Sequence, residues 1–139
     1  MKIVALDYGE KRIGVAIAQT ELGIALPTAV LPNDIETVVV WIRQSGAERV
    51  VVGMPWHLWG AKSTRAEQVE QFVQQLRQRL STPIETVDER LSTQEAERRL
   101  RAGEVRRERR KQIQDAVAAA ILLETYLTRL QLTDGDIPE

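Results

Sequence analysis

Three acidic positions carry the chemistry that this sequence could perform: Asp7, the pair Asp88-Glu89, and Asp115. Asp7 ends the apolar run Ile3–Leu6, and Asp88-Glu89 close the alternating stretch Ile84–Val87. Asp115 lies inside Ile113–Leu123, a segment apolar almost all round. A carboxylate at the end of a buried strand or on a buried helix is costly unless a cation or hydrogen-bond donors meet it. Acids from distant elements that converge in such a setting repel one another. Hard divalent cations with oxygen ligands remove that repulsion. Two such ions about 4 Å apart can clamp the attacking and leaving oxygens of a phosphodiester. Taken singly, each acid has a plainer reading: Asp7 as a turn former, Asp88 or Glu89 paired with Arg90, and Asp115 paired with Lys111 one turn back.

Groups that could touch phosphate lie nearby. Gly9 and Gly14 admit positive φ or a close backbone approach, and Lys11 and Arg12 stand between them. From Arg98 to Lys111 the chain carries Arg98, Arg99, Arg101, Arg106, Arg107, Arg109, Arg110 and Lys111 against only Glu104 and Glu108. That block is +6, so with a net charge of −1 the rest of the chain is −7. A basic patch on an otherwise acidic chain is a polyanion signal, although a salt-bridged, solvated helix face has the same composition. The glycine-bounded loop Gly53–Gly60 holds Trp56 and Trp59, which could stack on unpaired bases, rest on a partner protein, or lid the core. His57 has no histidine or cysteine companion, which argues against a metal role for it.

The elements that must position these groups follow from periodicity. Residues 2–8 and 12–19 read as a hairpin, and 24–31 as a third strand whose Pro27 marks a sheet edge. Asp34 caps a helix to Ser45 that Gly46 ends. Arg49–Gly53 is a buried fourth strand. A helix opening at Ser63-Thr64 has the stripe Val69, Phe72, Val73, Leu76 and Leu80. Thr82-Pro83 stops it, and Ile84–Val87 alternates as a fifth strand. Ser92-Thr93-Gln94-Glu95 is a capping box for a helix to about Arg101. The last helix spans about Glu108 to Leu130, where Ala118 and Ala119 would let it approach a strand closely enough for Asp115 to reach Asp7. The order predicts an α/β domain over 1–132, with three antiparallel strands and two parallel additions flanked by helices. Residues 133–139 read as an acidic flexible tail.

Composition narrows the class. The 139 residues suffice for one domain with a real core. Apolar and charged fractions of 43% and 28% are those of an ordinary globular protein. The absence of cysteine excludes disulfides and thiolate metal sites. Asp7 cuts the first apolar stretch too short for a signal peptide, and no run reaches membrane-spanning length. A cytoplasmic protein with no membrane partner is expected.

Four segments together resemble a known family: Asp7-Tyr8-Gly9-Glu10-Lys11-Arg12-Ile13-Gly14-Val15-Ala16, Val51-Val52-Gly53-Met54-Pro55 with Gly60, Asp88-Glu89-Arg90-Leu91-Ser92-Thr93, and Asp115 with Ala118-Ala119. Their order over roughly Lys2–Leu130 is similar to that of the YqgF/RuvX family, bacterial proteins named as Holliday junction resolvases or pre-16S rRNA nucleases. The resemblance implies an RNase H-like fold and a cytoplasmic nuclease acting on the 5′ end of the small-subunit rRNA precursor. It maps Asp7, Asp88-Glu89 and Asp115 onto the family's acidic residues. RuvC-type resolvases carry an acid after the fourth strand, where this chain has Gly53-Met54-Pro55, so the second acid must be Asp88 or Glu89, with Glu89 preferred. The expected cofactor is Mg²⁺ or Mn²⁺, held by Asp7, Glu89 and Asp115. The expected partner is structured RNA, in a ribosome precursor, or branched DNA. Lys11, Arg12, Arg90, Arg106, Arg107, Arg109, Arg110, Lys111, Trp56 and Trp59 are the candidate contacts to it. Monomer and homodimer stay open. Trp56-His57-Leu58-Trp59 departs from the family's commoner leucine and small polar residues.

Overall fold

A computed structural model describes residues 1–55, 64–88 and 107–136; in the last segment it describes the side chains of 115–128 and 130. The expected helix at 92–101, the Trp56–Trp59 loop, Glu89, Arg90 and Arg106 lie outside the described residues. A mixed five-stranded sheet forms the centre. Its strands are β1 (Lys2–Tyr8), β2 (Arg12–Gln19), β3 (Ile24–Pro32), β4 (Arg49–Met54) and β5 (Ile84–Asp88), in the order β3-β2-β1-β4-β5. The first three pair antiparallel, and β1–β4 and β4–β5 pair parallel, as the element order predicts. Pro27 lies on the edge strand, beside a bulge where Thr28 is the extra residue opposite Val15 and Ala16. A missing N–H is tolerated at such a place.

Alternation along the strands builds two cores. Val4, Leu6, Ile13, Val15, Val50, Val52 and Ile84 face α1 (Ile35–Ser45) and α2 (Thr64–Arg79). They meet Val38, Val39 and Ile42 of α1 and Val69, Phe72, Val73 and Leu76 of α2, the stripes read from the sequence. Ile3, Ala5, Ala16, Ala18, Val51 and Val87 face α3 (Arg107–Asp136), meeting Ala119, Ala120, Leu122, Leu123, Tyr126 and Leu127. The strand β5 keeps the alternation of faces but buries only the two ends of the run 84–87. Ile84 and Val87 are buried in opposite cores while Glu85 and Thr86 are exposed, as suits a strand at a sheet edge.

Local chemistry sets the helix ends. Asp34 caps α1: its Oδ2 accepts from the Thr37 N–H at 3.1 Å and from the Thr37 hydroxyl at 2.7 Å. Those two bonds lower the Asp34 pKa. Gly46 ends α1 at φ 71°, the left-handed conformation that glycine adopts without strain. The last helix runs to Asp136, six residues past the expected end near Leu130. Residues 133–136, read from the sequence as part of a flexible tail, are therefore helical.

Small residues bring α3 down onto the sheet. Gly14 is the tightest point: a methyl group there would overlap the backbone carbonyl of Asp115 and the amide of Ala116. The glycine's φ is not positive, so close approach, not a special conformation, is what requires it. Ala119 then packs in the sheet-facing core, whereas Ala118 joins Val117 and Ile121 in a separate cluster. Further along the helix, Arg49 Nη1 donates to the Tyr126 hydroxyl at 2.5 Å, and Arg49 Nε lies 3.9 Å from Glu85 Oε1. Burial, and then the bond to Glu85, raises the Tyr126 pKa above the usual tyrosine value.

Two measurements check this packing. Gly14→Ala should lower unfolding stability by about 1–3 kcal/mol in urea titrations, because helix backbone cannot move aside for the methyl. Tyr126 favours its neutral form in the folded state, so its contribution is complete below the unfolded pKa of about 10 and is lost as pH rises through the raised folded value. Tyr126→Phe should therefore flatten the fall in stability above pH 10.

Candidate metal centre

Strand register and the Gly14 contact assemble the site. In β1, Ile3 and Ala5 face α3 while Val4 and Leu6 face the other core, so Asp7 falls on the α3 side. Asp7 is paired with Gly14. Directly opposed residues in an antiparallel pair are about 5 Å apart. Gly14 in turn touches the backbone of Asp115. Asp7 and Asp115 thus flank one glycine, at the end of the sheet where β1, β4 and β5 finish. Ligand sites of α/β sheets form at that end of parallel strands.

Arg12 joins them. It lies on β2 two residues before Gly14, so it shares the α3 face. Its Nε donates to Asp115 Oδ2 at 3.0 Å, with both side chains partly exposed, at 39% and 29%. Asp115 is therefore ion-paired with an arginine from the far end of the chain; the side chain of Lys111, the partner expected on its own helix, lies outside the described residues. Arg12, expected as a phosphate contact, is engaged with an acid of the site. The turn that carries it is held from outside. Asn33 Nδ2 donates to the carbonyls of Gly9 at 2.8 Å and Glu10 at 3.2 Å, and the Asn33 N–H donates to the Lys11 carbonyl. Arg65, at the start of α2, donates to the Tyr8 carbonyl at 2.8 Å.

The fifth strand separates its two acids. Val87 pairs with Gly53 and faces α3, whereas Asp88 pairs with Met54, whose side chain belongs to the opposite core. Parity therefore directs Asp88 away from the face that holds Asp7. Among the described residues no group of three acidic or histidine side chains is arranged to hold a metal. The described pair still fits a hard cation. The donors are carboxylate oxygens, and Asp115 already accepts a positively charged group. The helical backbone of Arg107, Arg109, Arg110 and Lys111 belongs to the N-terminal part of α3, leading into Asp115. Lys11 is exposed in the turn beside Arg12.

Sequence reasoning missed Asn33 as the clamp of the Gly9–Lys11 turn and Arg65 as the group on Tyr8. An asparagine after a proline signals a turn, but which distant carbonyls it meets is a tertiary fact. Arg65 carries no signal beyond its place in the first turn of α2.

The chain as a whole is similar to known proteins. A family model described as "RuvX: Holliday junction resolvase" matches residues 1–129. A protein of Halothermothrix orenii named "Putative pre-16S rRNA nuclease" is 42% identical, covering 91% of this chain and 94% of the relative. One of the same name from Natranaerobius thermophilus is 38% identical, covering 93% and 95%. Among solved structures, the fowlpox virus resolvase bound to Holliday junction DNA has a TM-score of 0.61 at 14% identity, covering 94% of this chain and 99% of that one. Thermus thermophilus RuvC with a Holliday junction substrate has a TM-score of 0.56 at 14% identity, covering 94% and 96%. At that identity the likeness is one of fold, and the fold is RNase H-like.

A double-mutant cycle tests the ion pair. Arg12→Ala and Asp115→Ala should show a coupling of about 0.2–1 kcal/mol in thermal unfolding, shrinking as salt is raised, because the pair is partly exposed.

Proposed function

This chain belongs to the RuvX family, and from that premise we propose that it is a divalent-metal-dependent nuclease that processes the 5′ end of pre-16S rRNA in the cytoplasm. The observation that carries the site is Gly14, which lets Asp115 of the last helix settle beside Asp7 of the first strand. Asp7, Asp115 and Glu89 would hold Mg²⁺ or Mn²⁺. The parity that turns Asp88 to the other face supports Glu89 as the third ligand. Bound there, such an ion lowers the pKa of water and offsets the charge that builds on the phosphodiester oxygens.

The remaining work falls to the chain. The rigid sheet end fixes Asp7, and α3 fixes Asp115, so the two carboxylates need no reorganisation when substrate arrives. The Gly9–Lys11 turn, clamped by Asn33, presents Lys11 to the substrate backbone. The basic segment Arg106–Lys111 leads into Asp115 and would grip the phosphates flanking the scissile bond, making affinity fall with salt. Trp56 and Trp59 would stack on unpaired bases. The names of the relatives support pre-16S rRNA as the substrate, within a ribosome precursor. The family's description favours a second reading, the same chemistry on branched DNA, which calls for a homodimer to cut two strands symmetrically.

Three experiments decide between outcomes. Wild type with Mn²⁺ should cleave a pre-16S 5′ leader in preference to a four-way DNA junction offered beside it. Asp7→Asn should abolish that cleavage and keep substrate binding; undiminished cleavage would remove Asp7 from the metal site. Charge reversal at Arg106, Arg107, Arg109 and Arg110 should weaken binding and flatten its dependence on salt, and an unchanged slope would make the basic block a solvated face.

A further inference from the structure

We propose that Arg12 is the resident counter-charge of Asp115, which an incoming divalent ion must displace, so that Arg12 sets the ion affinity of the site. The inference rests on the metal-site reading above and adds to it an exchange of partners.

Three features of the pair point that way. First, it is formed by residues 103 positions apart in sequence, on a helix and a strand held together by the Gly14 contact, so their proximity is built into the fold. Second, the acid concerned is the one that flanks Gly14 opposite Asp7. Arg12 places a positive charge beside the two acids that flank Gly14, whose like charges repel. The guanidinium thus offsets the charge of Asp115 in the ion-free protein. Third, the contact is of the exchangeable kind. One bond, from Nε to Oδ2 at 3.0 Å, is formed between side chains that are both partly open to solvent. The bond does not involve the two terminal Nη groups, and Asp115 Oδ1 takes no part in it. An arginine that served only to lock the fold would be expected to pair bidentately and out of solvent.

An ion of charge +2 at Asp115 and Arg12 at +1 on the same carboxylate repel each other. The guanidinium must therefore swing off Asp115 as the ion arrives. Arg12 starts β2 directly after the substrate-facing Gly9–Lys11 turn, so the freed guanidinium stays at the same end of the sheet, where a substrate phosphate would meet it. Ion binding and phosphate recognition become coupled through one side chain, and the coupling is reciprocal.

The test uses the full chain without nucleic acid, titrated with Mn²⁺ by calorimetry. Arg12→Gln, which removes the competing charge, should bind Mn²⁺ about two- to five-fold more tightly than wild type, the range expected of a partly exposed ion pair. Arg12→Lys keeps the charge and should stay near wild type, with circular dichroism verifying that both variants fold. In parallel, the Arg12 Nε–H resonance, assigned by its loss in Arg12→Gln, should move when Mg²⁺ is added to wild type. If Asp7→Asn weakens Mn²⁺ binding while Arg12→Gln leaves it unchanged or weakens it, the metal site stands and the displacement is overturned. An Nε–H resonance indifferent to saturating Mg²⁺ overturns it as well. If wild type takes up no Mn²⁺, the metal-site reading falls, and this inference falls with it.

Discussion

One backbone-to-backbone contact governs this molecule: the seat of the last helix on Gly14 of the second strand. No side chain intervenes there, so the distance between helix and sheet is set by main-chain atoms and cannot be adjusted by a rotamer. Everything at the site inherits its position from that contact. Asp7 is placed by its pairing with Gly14, Asp115 by the helix that rests on it, and Arg12 by standing two residues upstream on the same face. The alanines at 5, 16, 18, 119 and 120 extend the same closeness along the interface.

The helix has a second anchor toward the other end of the sheet. There Arg49 at the start of the fourth strand binds the Tyr126 hydroxyl and lies near Glu85. Together with the glycine seat it constrains the rotation and slide of α3, which burial of Leu122, Leu123 and Leu127 alone would leave loosely specified. Hydrophobic burial is non-directional, whereas a steric stop and a charge-assisted hydrogen bond each demand a particular geometry. Such a division suits a helix that brings Asp115 to the strand of Asp7 from the other end of the chain.

Electrostatics then separates groups that look equivalent in one dimension. Asp88 and Glu89 are adjacent acids, and sequence spacing alone offers no means of choosing between them. Strand parity places Asp88 on the face of Met54, away from the face that Asp7 shares with Val87. Likewise Lys11 and Arg12 are adjacent cations, yet Arg12 pairs with an acid of the site while Lys11 is exposed in a turn clamped by Asn33.

Much was legible in the sequence, for reasons that are local. The strand runs, the helix stripes, the Asp34 and Gly46 caps and the edge position of Pro27 depend on periodicity and on the backbone preferences of single residues, so they could be read along the chain. That Asp7 and Asp115 call for partners was also legible, since a carboxylate in an apolar segment needs one wherever the chain goes. Tertiary structure alone decided who the partners are. Asp115 meets Arg12, Gly14 serves contact rather than positive φ, and Ala119 rather than Ala118 faces the sheet. Those outcomes turn on the rotation of one long helix about its axis, and a helix apolar almost all round carries no stripe in its sequence that states which side will be inward.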